Sequence, residues 1–230
     1  MVITPRFFEL YNIISLFSLI YFRNLLYNIV KYVSKSGVSM NINTTYTKII
    51  TGEDLMETAQ HGSTLYPFQF YYEDLSVFDF NCIEWHWHTE LEFIYIESGT
   101  VTLWIGEDQF HLTEGNGVFI NTKVLHRLYS PSKALIPNFV FMPSFIAPCD
   151  SLIYQKYILP IISSSLPFLV FHKKVCWQAK VLSIMRQIIS AQDSVLSKEL
   201  LTSSLLQNLW LEIFENTDIS YQEEHKDHST

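Results

Sequence analysis

Short apolar runs separated by polar turns fill the middle of this 230-residue sequence, and they restrict the folds that it can adopt. Between residues 46 and 145 these runs include Phe68–Tyr72, Phe93–Ile96, Val101–Ile105, Gln109–Leu112 and Val118–Ile120. The Gly-Glu-Asp sequence at 106–108 predicts a tight hairpin between two of them. Aromatic residues make up 15% of the chain, which favours a strand-rich core. Many short strands at this spacing indicate an antiparallel sandwich or barrel.

The apolar residues change to a helical period in the last third of the chain. Four prolines between residues 143 and 167 mark a connecting region, with one short helix near 151–159. Residues 174–191 and 195–214 carry apolar side chains at helical spacing, which predicts two amphipathic helices joined by the polar turn 192–194. A turn this short makes them antiparallel. The predicted fold class is therefore mainly β with C-terminal helices, an antiparallel barrel followed by a helix pair.

Charge sets the first 39 residues apart from the rest. The chain carries a net charge of −8 and so lacks the overall positive charge typical of nucleic-acid binding, but residues 1–39 carry +3. The apolar segment 7–33 has three possible roles: an interfacial or spanning helix, an extra helix packed on the domain, or a segment outside the domain. Its longest uncharged run has 13 residues, fewer than the roughly 20 that span a bilayer. Since Met40 has the form of a natural start, membrane contact through 7–33 is not favoured.

The cysteines indicate a reducing compartment. Cys82, Cys149 and Cys176 cannot form a closed set of disulfides, and no two of them are close enough in sequence for a zinc or redox motif. We therefore expect reduced, buried thiols in a cytoplasmic protein.

Two histidines and two glutamates lie close together in the segment HWHTELEFIYIESG at 86–99. On a regular strand His86, His88, Glu90 and Glu92 would all point to one side. Burying two carboxylates and two imidazoles on an inner face would be costly without a cation or hydrogen bonds. A bulge at residues 89–90 would separate them instead, and the sequence leaves both arrangements open.

This segment resembles the first motif of the cupin superfamily, which has the spacing H-x-H-x3-E-x6-G. Phe80 departs from that motif, since glycine is usual at its position. The second cupin motif is matched only in part. Gly115 and His126 agree with it, whereas Asn121 and Lys123 replace its proline and its second glycine.

The wider segment 61–216 resembles the sensor half of AraC-type bacterial transcription regulators. The resemblance rests on the segment at 86–99, on GNGVFINTKVLHRLYS, on YQKYILPII and on the final leucine-rich helices. It implies a cupin-like jelly-roll that binds a small effector, and two helices that mediate dimerisation. It also implies a linker and a DNA-binding domain with two helix-turn-helix units, and the sequence ends where that domain would begin. We therefore expect no direct DNA binding by this chain alone.

The resemblance gives a domain order and candidate residues. We expect an apolar extension over 1–39, an effector-binding barrel over 40–148, a helical dimerisation region over 149–216 and a linker or tail over 217–230. The candidate pocket residues for a sugar-like or other effector are His86, His88, Glu90, Glu92, Trp104 and His126. The dimerisation candidates, for a homodimer or for a heterodimer with a full-length relative, are Leu201, Leu205, Leu209 and Ile213. Trp104 is included as part of an aromatic wall, with a core or surface position as the alternative.

A metal site is the main alternative use of the same residues. In metal-dependent cupins the equivalents of His86, His88, Glu92 and His126 hold Fe(II), Mn(II), Ni(II) or Zn(II). AraC-type regulators commonly keep a similar His-x-His strand without metal, where the side chains line the pocket. We therefore expect no cofactor and no enzyme activity, and a metal-dependent cupin enzyme of the dioxygenase or isomerase type is the alternative.

Overall fold

The computed structural model of the chain describes residues 47–217. The expectations for residues 1–39, including the apolar segment 7–33, and for the tail after residue 217 lie outside these residues. Within them, no helix combines the length and the apolar character that crossing a membrane requires.

The described part of the chain builds nine strands into two antiparallel sheets, and this confirms the predicted fold class. The five-stranded sheet contains, in spatial order, β1 (Phe68–Asp74), β8 (Leu135–Phe141), β3 (Leu91–Tyr95), β6 (Gly117–Ile120) and β9 (Phe168–Phe171). The four-stranded sheet contains β2 (Cys82–His86), β7 (His126–Tyr129), β4 (Thr100–Ile105) and β5 (Asp108–Thr113). The predicted hairpin joins β4 to β5, with Ile105 opposite Asp108.

Branched aliphatic side chains fill the barrel interior. Strand β4 shows the alternation clearly, because Val101, Leu103 and Ile105 belong to the buried cluster while Trp104 does not. Successive side chains on a strand point to opposite faces, so one face of each sheet lines this interior. Ile94, Val118, Ile120, Leu128 and Ile136 extend the cluster along the neighbouring strands.

The other face of the five-stranded sheet carries a ladder of phenylalanines. Phe93 lies opposite Phe119 on β6 and opposite Phe139 on β8, with ring centroids 5.0 and 5.3 Å apart. Trp210 from the C-terminal helix meets Phe119 edge-on, with ring centroids 6.0 Å apart. The sheet is therefore buried on both faces, with aliphatic side chains toward the barrel and aromatic side chains toward the helices.

The C-terminal helices are α2 (Cys176–Ala191) and α3 (Lys198–Asn216), preceded by a π-helical turn Tyr154–Ile158 and the short α1 (Leu159–Ile162). Gln192 donates to Thr202 near the turn, and Lys180 pairs with Glu212 at 3.7 Å near the far ends. These contacts confirm that α2 and α3 run antiparallel. Helix α3 begins three residues later than predicted, so Val195 and Leu196 lie in the preceding turn and not on the helix.

Two further expectations need correction. The region 149–216 is not entirely helical, because β9 pairs with β6 and extends the barrel sheet. The thiols are not all buried, since Cys149 and Cys176 are exposed and only Cys82 is buried. Cys176 is the first residue of α2, and Cys149 lies in the connecting region.

Candidate functional site

Three histidines converge inside the barrel. His86 ends β2, His126 begins β7 opposite it, and His88 follows in the connection to β3. One ring nitrogen from each side chain lies within 4.8 Å of the other two. All three residues are buried, and His126 is fully inaccessible. The sequence motif thus places its imidazoles at a common point even though the residues come from different strands.

Backbone carbonyls fix the orientation of all three rings. His86 Nδ1 lies 2.8 Å from the carbonyl oxygen of Glu84, and His126 Nδ1 lies 2.9 Å from that of Val124. His88 Nδ1 lies 3.2 Å from the carbonyl oxygen of Glu90. A carbonyl oxygen only accepts, so each Nδ1 carries the donated proton. In the neutral imidazole this leaves each Nε2 with a lone pair.

Glu92 adds a carboxylate to this group. It lies on β3 beside Ile94 on the inward face, and its Oε2 is 3.3 Å from His88 Nε2 and 3.1 Å from His126 Nε2. Burial alone would raise the pKa of Glu92, but the close imidazoles of His126 and His88 hold that pKa well below its usual range. The carboxylate is therefore ionised and serves as the counter-charge of the imidazoles.

The histidines differ in their titration. Burial, together with the neighbouring His126, lowers the pKa of His86 to about 3. Burial also acts to lower the pKa of His88, but its hydrogen bond to Glu92 and the charges of the nearby glutamates together outweigh burial and raise that pKa overall. The site therefore holds a neutral His86 beside a His88 that protonates readily.

Glu90 is separated from this group by a break in the strand. Strand β2 ends at His86 and β3 begins at Leu91, so Glu90 lies in the connecting bend. Its carboxylate accepts from the Thr89 hydroxyl, lies 3.8 Å from His88 Nδ1 and does not line the cavity. The sequence left open whether residues 86–92 form a regular strand or a strand with a bulge. The structure shows neither, because the chain bends between His88 and Leu91 and so separates the carboxylates of Glu90 and Glu92.

Trp104 does not line the pocket, contrary to the prediction from the sequence. The interior face of β4 carries Leu103 and Ile105, so Trp104 points to the opposite face of the sheet. There its ring lies under the guanidinium of Arg127, 5.0 Å from the ring centroid, while Arg127 also pairs with Glu84 at 3.0 Å. Trp104 therefore belongs to the outer surface and does not line the cavity.

A second polar group lies beside the histidines, and it was not predicted from the sequence. Glu57 Oε2 is 3.3 Å from His61 Nε2, and His61 Nδ1 is 2.9 Å from the Tyr71 hydroxyl. Glu73 accepts from Asn138 Nδ2 at 2.8 Å. The ring centroids of His61 and His88 are 5.6 Å apart, so the two groups form one continuous site.

Backbone contacts bring the N-terminal part of this group into place. Glu57 N donates to Trp87 O at 2.9 Å, which fixes the loop next to the histidine strand. Gly62 follows His61 with a φ of +75°, and an added Cβ would lie 2.6 Å from two backbone atoms. Only glycine fits this turn. The alternation of side chains along β1 could have indicated two other members of this group, because Tyr71 and Glu73 share one face of the strand.

Both groups line a small interior cavity of about 30 Å³. That volume holds one or two water-sized groups, so a larger ligand requires the cavity to open. Its polar lining consists of Glu57, His61, Tyr71, Glu73, His86, His88, Glu92 and Asn138. The remaining lining is aliphatic, as is typical of a binding pocket with few oriented polar groups.

The donor set fits a divalent metal ion. Three Nε2 lone pairs with an adjacent carboxylate match the preferences of Fe(II), Mn(II), Ni(II) and Zn(II). Hydrogen bonds from each Nδ1 to a carbonyl provide the second-shell orientation that metal-binding histidines need. His86, His88 and His126 would hold the ion, with Glu92 as the carboxylate ligand.

The dimerisation candidates divide into two groups. Leu209 and Ile213 are 1% and 0% exposed and pack within the chain itself, so they are not available to a partner unless the fold opens. Leu205 is half-buried, whereas Leu201 is 41% exposed. The available apolar surface on α3 is therefore different from the one expected from leucine spacing alone.

The chain is similar to known proteins in its family match and in its sequence. The family model of the cupin domain matches residues 82–136, which include β2 to β7 and all four cupin-motif residues of the site. The uncharacterized HTH-type transcriptional regulator YdeC of Bacillus subtilis (strain 168) is 24% identical over 143 residues. That alignment covers 60% of this chain and 48% of YdeC, so the chain spans about half the length of this curated relative.

Two solved structures show the range of the similarity. ToxT from Vibrio cholerae aligns with a TM-score of 0.46 at 14% identity, covering 67% of this chain and 57% of ToxT. An RmlC-like cupin from Shewanella frigidimarina NCIMB 400 aligns with a TM-score of 0.30 at 17% identity, covering 33% of this chain and 67% of the cupin. The resemblance predicted from the sequence is confirmed by the family and sequence matches: residues 82–136 match the cupin domain, and the chain is similar to an HTH-type transcriptional regulator.

Proposed function

We propose that residues 40–216 form the ligand-sensing and dimerisation module of a cytoplasmic transcription regulator of the AraC type. Residues 40–148 bind the effector and residues 149–216 carry the dimer contacts. The single observation that carries the proposal is the cavity inside the barrel, with its buried, oriented polar side chains. The similarity of the chain to an HTH-type regulator supports a regulatory use of that cavity.

An exposed apolar surface on α3 and on the turn before it supports dimerisation. This leucine surface consists of Val195, Leu196, Leu200, Leu201 and Leu211, which are between 41% and 96% exposed. Contiguous apolar patches on a protein surface commonly mark interaction sites. Ser204, Gln207 and Asn208, which lie between Leu200 and Leu211, are exposed and uncharged, whereas the exposed Glu199 and Glu215 flank the surface.

The occupant that suits this surface is a second copy of the chain. With a net charge of −8, two copies repel each other across most of their surfaces, and a face of mostly apolar and uncharged side chains reduces that repulsion. Isologous pairing is the commonest form of oligomer, and a stable dimer buries about 800 Å² per partner. The leucine surface offers exposed apolar side chains for such a contact without opening the core.

We expect the chain to sediment as a dimer at tens of micromolar, and Leu200→Asp to weaken that dimer at least tenfold. The substitution places a charge in the contact twice, once from each copy, and a central apolar contact contributes more than about 1 kcal/mol. Sedimentation equilibrium measures the dissociation constant directly. Phe80→Asp is the matched control, because Phe80 is 90% exposed but lies just before β2 of the four-stranded sheet and not on α3. A monomeric wild-type chain at these concentrations, or equal effects of both variants, would exclude the leucine surface as the dimer interface.

A metal-dependent cupin enzyme is the second candidate function, favoured by the convergence of three imidazoles with a carboxylate. A bound ion would supply Lewis acidity or oxygen activation. The chain's own residues would orient it through the Nδ1 hydrogen bonds and would exclude water through the aliphatic cavity wall.

Under this alternative, the gently purified chain should contain close to one divalent ion per molecule, and His88→Ala should remove it. Loss of one of three imidazole ligands lowers metal affinity steeply, and inductively coupled plasma mass spectrometry measures the metal content. His172→Ala is the control, because His172 is exposed and lies outside the site. A metal-free wild-type chain would remove the main support for the enzyme candidate and leave the sensor proposal intact.

A further inference from the structure

Part of the cavity wall is a loop, residues 61–66, which we call the His61 loop. Most of the cavity lining lies on the strands, whereas residues 58–67 form neither helix nor strand. His61 is held to the lining by the contact of 2.9 Å between its Nδ1 and the Tyr71 hydroxyl. Because the cavity has a volume of only about 30 Å³, a larger ligand must displace part of the wall, and this loop is the part without a strand to hold it.

Hydrogen bonds within the His61 loop tie its two ends together. Ser63 N donates to the carbonyl oxygen of Tyr66 at 2.9 Å, and Tyr66 N donates back to that of Ser63 at 3.2 Å. Phe68 N, at the start of β1, also donates to the carbonyl oxygen of Tyr66, at 2.8 Å. A displacement of His61 is therefore passed along the loop to Tyr66.

The far end of the loop is connected to helix α3. The Tyr66 ring meets Phe145 edge-on, with ring centroids 5.0 Å apart. The next residue, Ile146, accepts a hydrogen bond of 3.2 Å from Gln207 Nε2 through its carbonyl oxygen. Gln207 is exposed on α3, among the uncharged residues of the leucine surface. The loop thus has the cavity at one end and the proposed dimer contact at the other.

The Tyr66 hydroxyl is a donor without an acceptor. Its oxygen is buried and makes no hydrogen bond to any described residue, which is unfavourable for a hydroxyl. Burial raises the pKa of Tyr66, the neighbouring Thr202 opposes that rise, and the charge of Glu199 adds to it. The two hydroxyls are therefore close but are not joined by a hydrogen bond of ordinary geometry. Thr202 Oγ1 accepts from Gln192 Nε2 at 3.0 Å and has a second lone pair for another donor.

We propose that the His61 loop couples the cavity to the leucine surface, with the Tyr66 hydroxyl as the switch. A ligand that takes over the Tyr71 hydroxyl releases His61, and Tyr66 then donates to Thr202. The new hydrogen bond fixes the first turns of α3, where Leu200 lies, so the ligand-bound chain dimerises more tightly. This rests on the proposed sensing and dimerisation function and names the residues that link the two.

Sedimentation equilibrium of the full chain tests the coupling without a ligand, because His61→Ala removes the anchor that a ligand would displace. We expect His61→Ala to tighten the dimer about fivefold, at the lower end of typical coupling between two sites. In a Tyr66→Phe background the same substitution should change the dissociation constant less than about twofold, because no hydroxyl remains to donate. Tyr66→Phe alone should leave the midpoint of urea denaturation unchanged or raised, since its hydroxyl makes no hydrogen bond in the unligated chain. His111→Ala is the control, because His111 is exposed on β5 of the four-stranded sheet.

Three results would each overturn the coupling. They are a dimer that His61→Ala leaves unchanged or weakens, an equal tightening in the Tyr66→Phe background, and a Tyr66→Phe variant with a lower urea midpoint. Should His61→Ala lose the far-UV circular dichroism of the folded chain, Tyr71→Phe removes the other partner of the same hydrogen bond and takes its place. A wild-type chain that stays monomeric contradicts the dimerisation proposal and the coupling with it, whereas a dimer that ignores His61→Ala contradicts the coupling alone.

Discussion

Replacing Phe93 with alanine should lower the free energy of unfolding by about 3–5 kcal/mol, as expected for the truncation of a fully buried phenylalanine. Phe93 is central to the aromatic ladder, with Phe119 and Phe139 directly opposite it on two neighbouring strands. Removing its ring leaves a cavity that these rigid neighbours cannot fill. Urea denaturation followed by tryptophan fluorescence and circular dichroism measures the loss.

Phe80→Ala is the control for this substitution. Phe80 is 90% exposed, so its removal should change the stability by less than about 0.5 kcal/mol. If Phe93→Ala cost under about 1 kcal/mol with an unchanged denaturant slope, the sheet could not be packed against the helices through the phenylalanine ladder.

The architecture was predictable because its signals are local. The hairpin between β4 and β5 follows from the turn residues at 106–108, and the helix pair follows from apolar periodicity. Helix α3 was harder to predict in detail, since it carries leucines around most of its circumference. Spacing alone did not distinguish Leu209, which packs inside the chain, from Leu200, which is 76% exposed.

The cupin-motif half of the site was predictable for a similar reason. His86, His88 and Glu92 belong to one short segment, and His126 stands at a known distance from Gly115. Their meeting point still depends on the pairing of β2 with β7, which no local pattern encodes. The resemblance supplied that information.

The acidic half of the site could not be predicted because it depends on long-range contacts. Glu57 and His61 lie in a loop with no regular secondary structure of its own, held by backbone hydrogen bonds to residue 87. Asn138 meets Glu73 across 65 residues of sequence. Trp104 was predicted in the pocket because an aromatic ring suits a sugar ligand. Its position on β4, between the inward-pointing Leu103 and Ile105, instead places it on the outer face of the sheet.

The histidine cluster should also make the metal-free fold sensitive to acid, and His86 should be the main cause. Its pKa is about 3 in the folded chain and about 6.5 when unfolded, so between these values the unfolded state binds a proton that the folded state does not. Stability is therefore lost as the pH falls, by about 1.4 kcal/mol per pH unit and by as much as about 5 kcal/mol near pH 3.

The other two groups titrate differently over the upper part of this range. The pKa of Glu92 lies well below its usual value, so its stabilising contribution is lost only as the pH falls below about 4.5. The pKa of His88 is raised, so its contribution is fully present below about pH 6.5 and is lost only at higher pH. Between pH 6.5 and 5 the loss of stability with falling pH is thus due to His86.

His86→Gln should accordingly flatten the pH dependence of stability, reducing the loss between pH 6.5 and 5 by about 2 kcal/mol. Urea denaturation at half-unit pH steps, with EDTA present so that no ion occupies the imidazoles, measures the two curves. His172→Gln should leave the wild-type curve unchanged, because His172 is exposed. Parallel curves for the wild type and His86→Gln would mean that His86 accepts a proton in the folded chain, and the cavity around the triad would then have to be open to water.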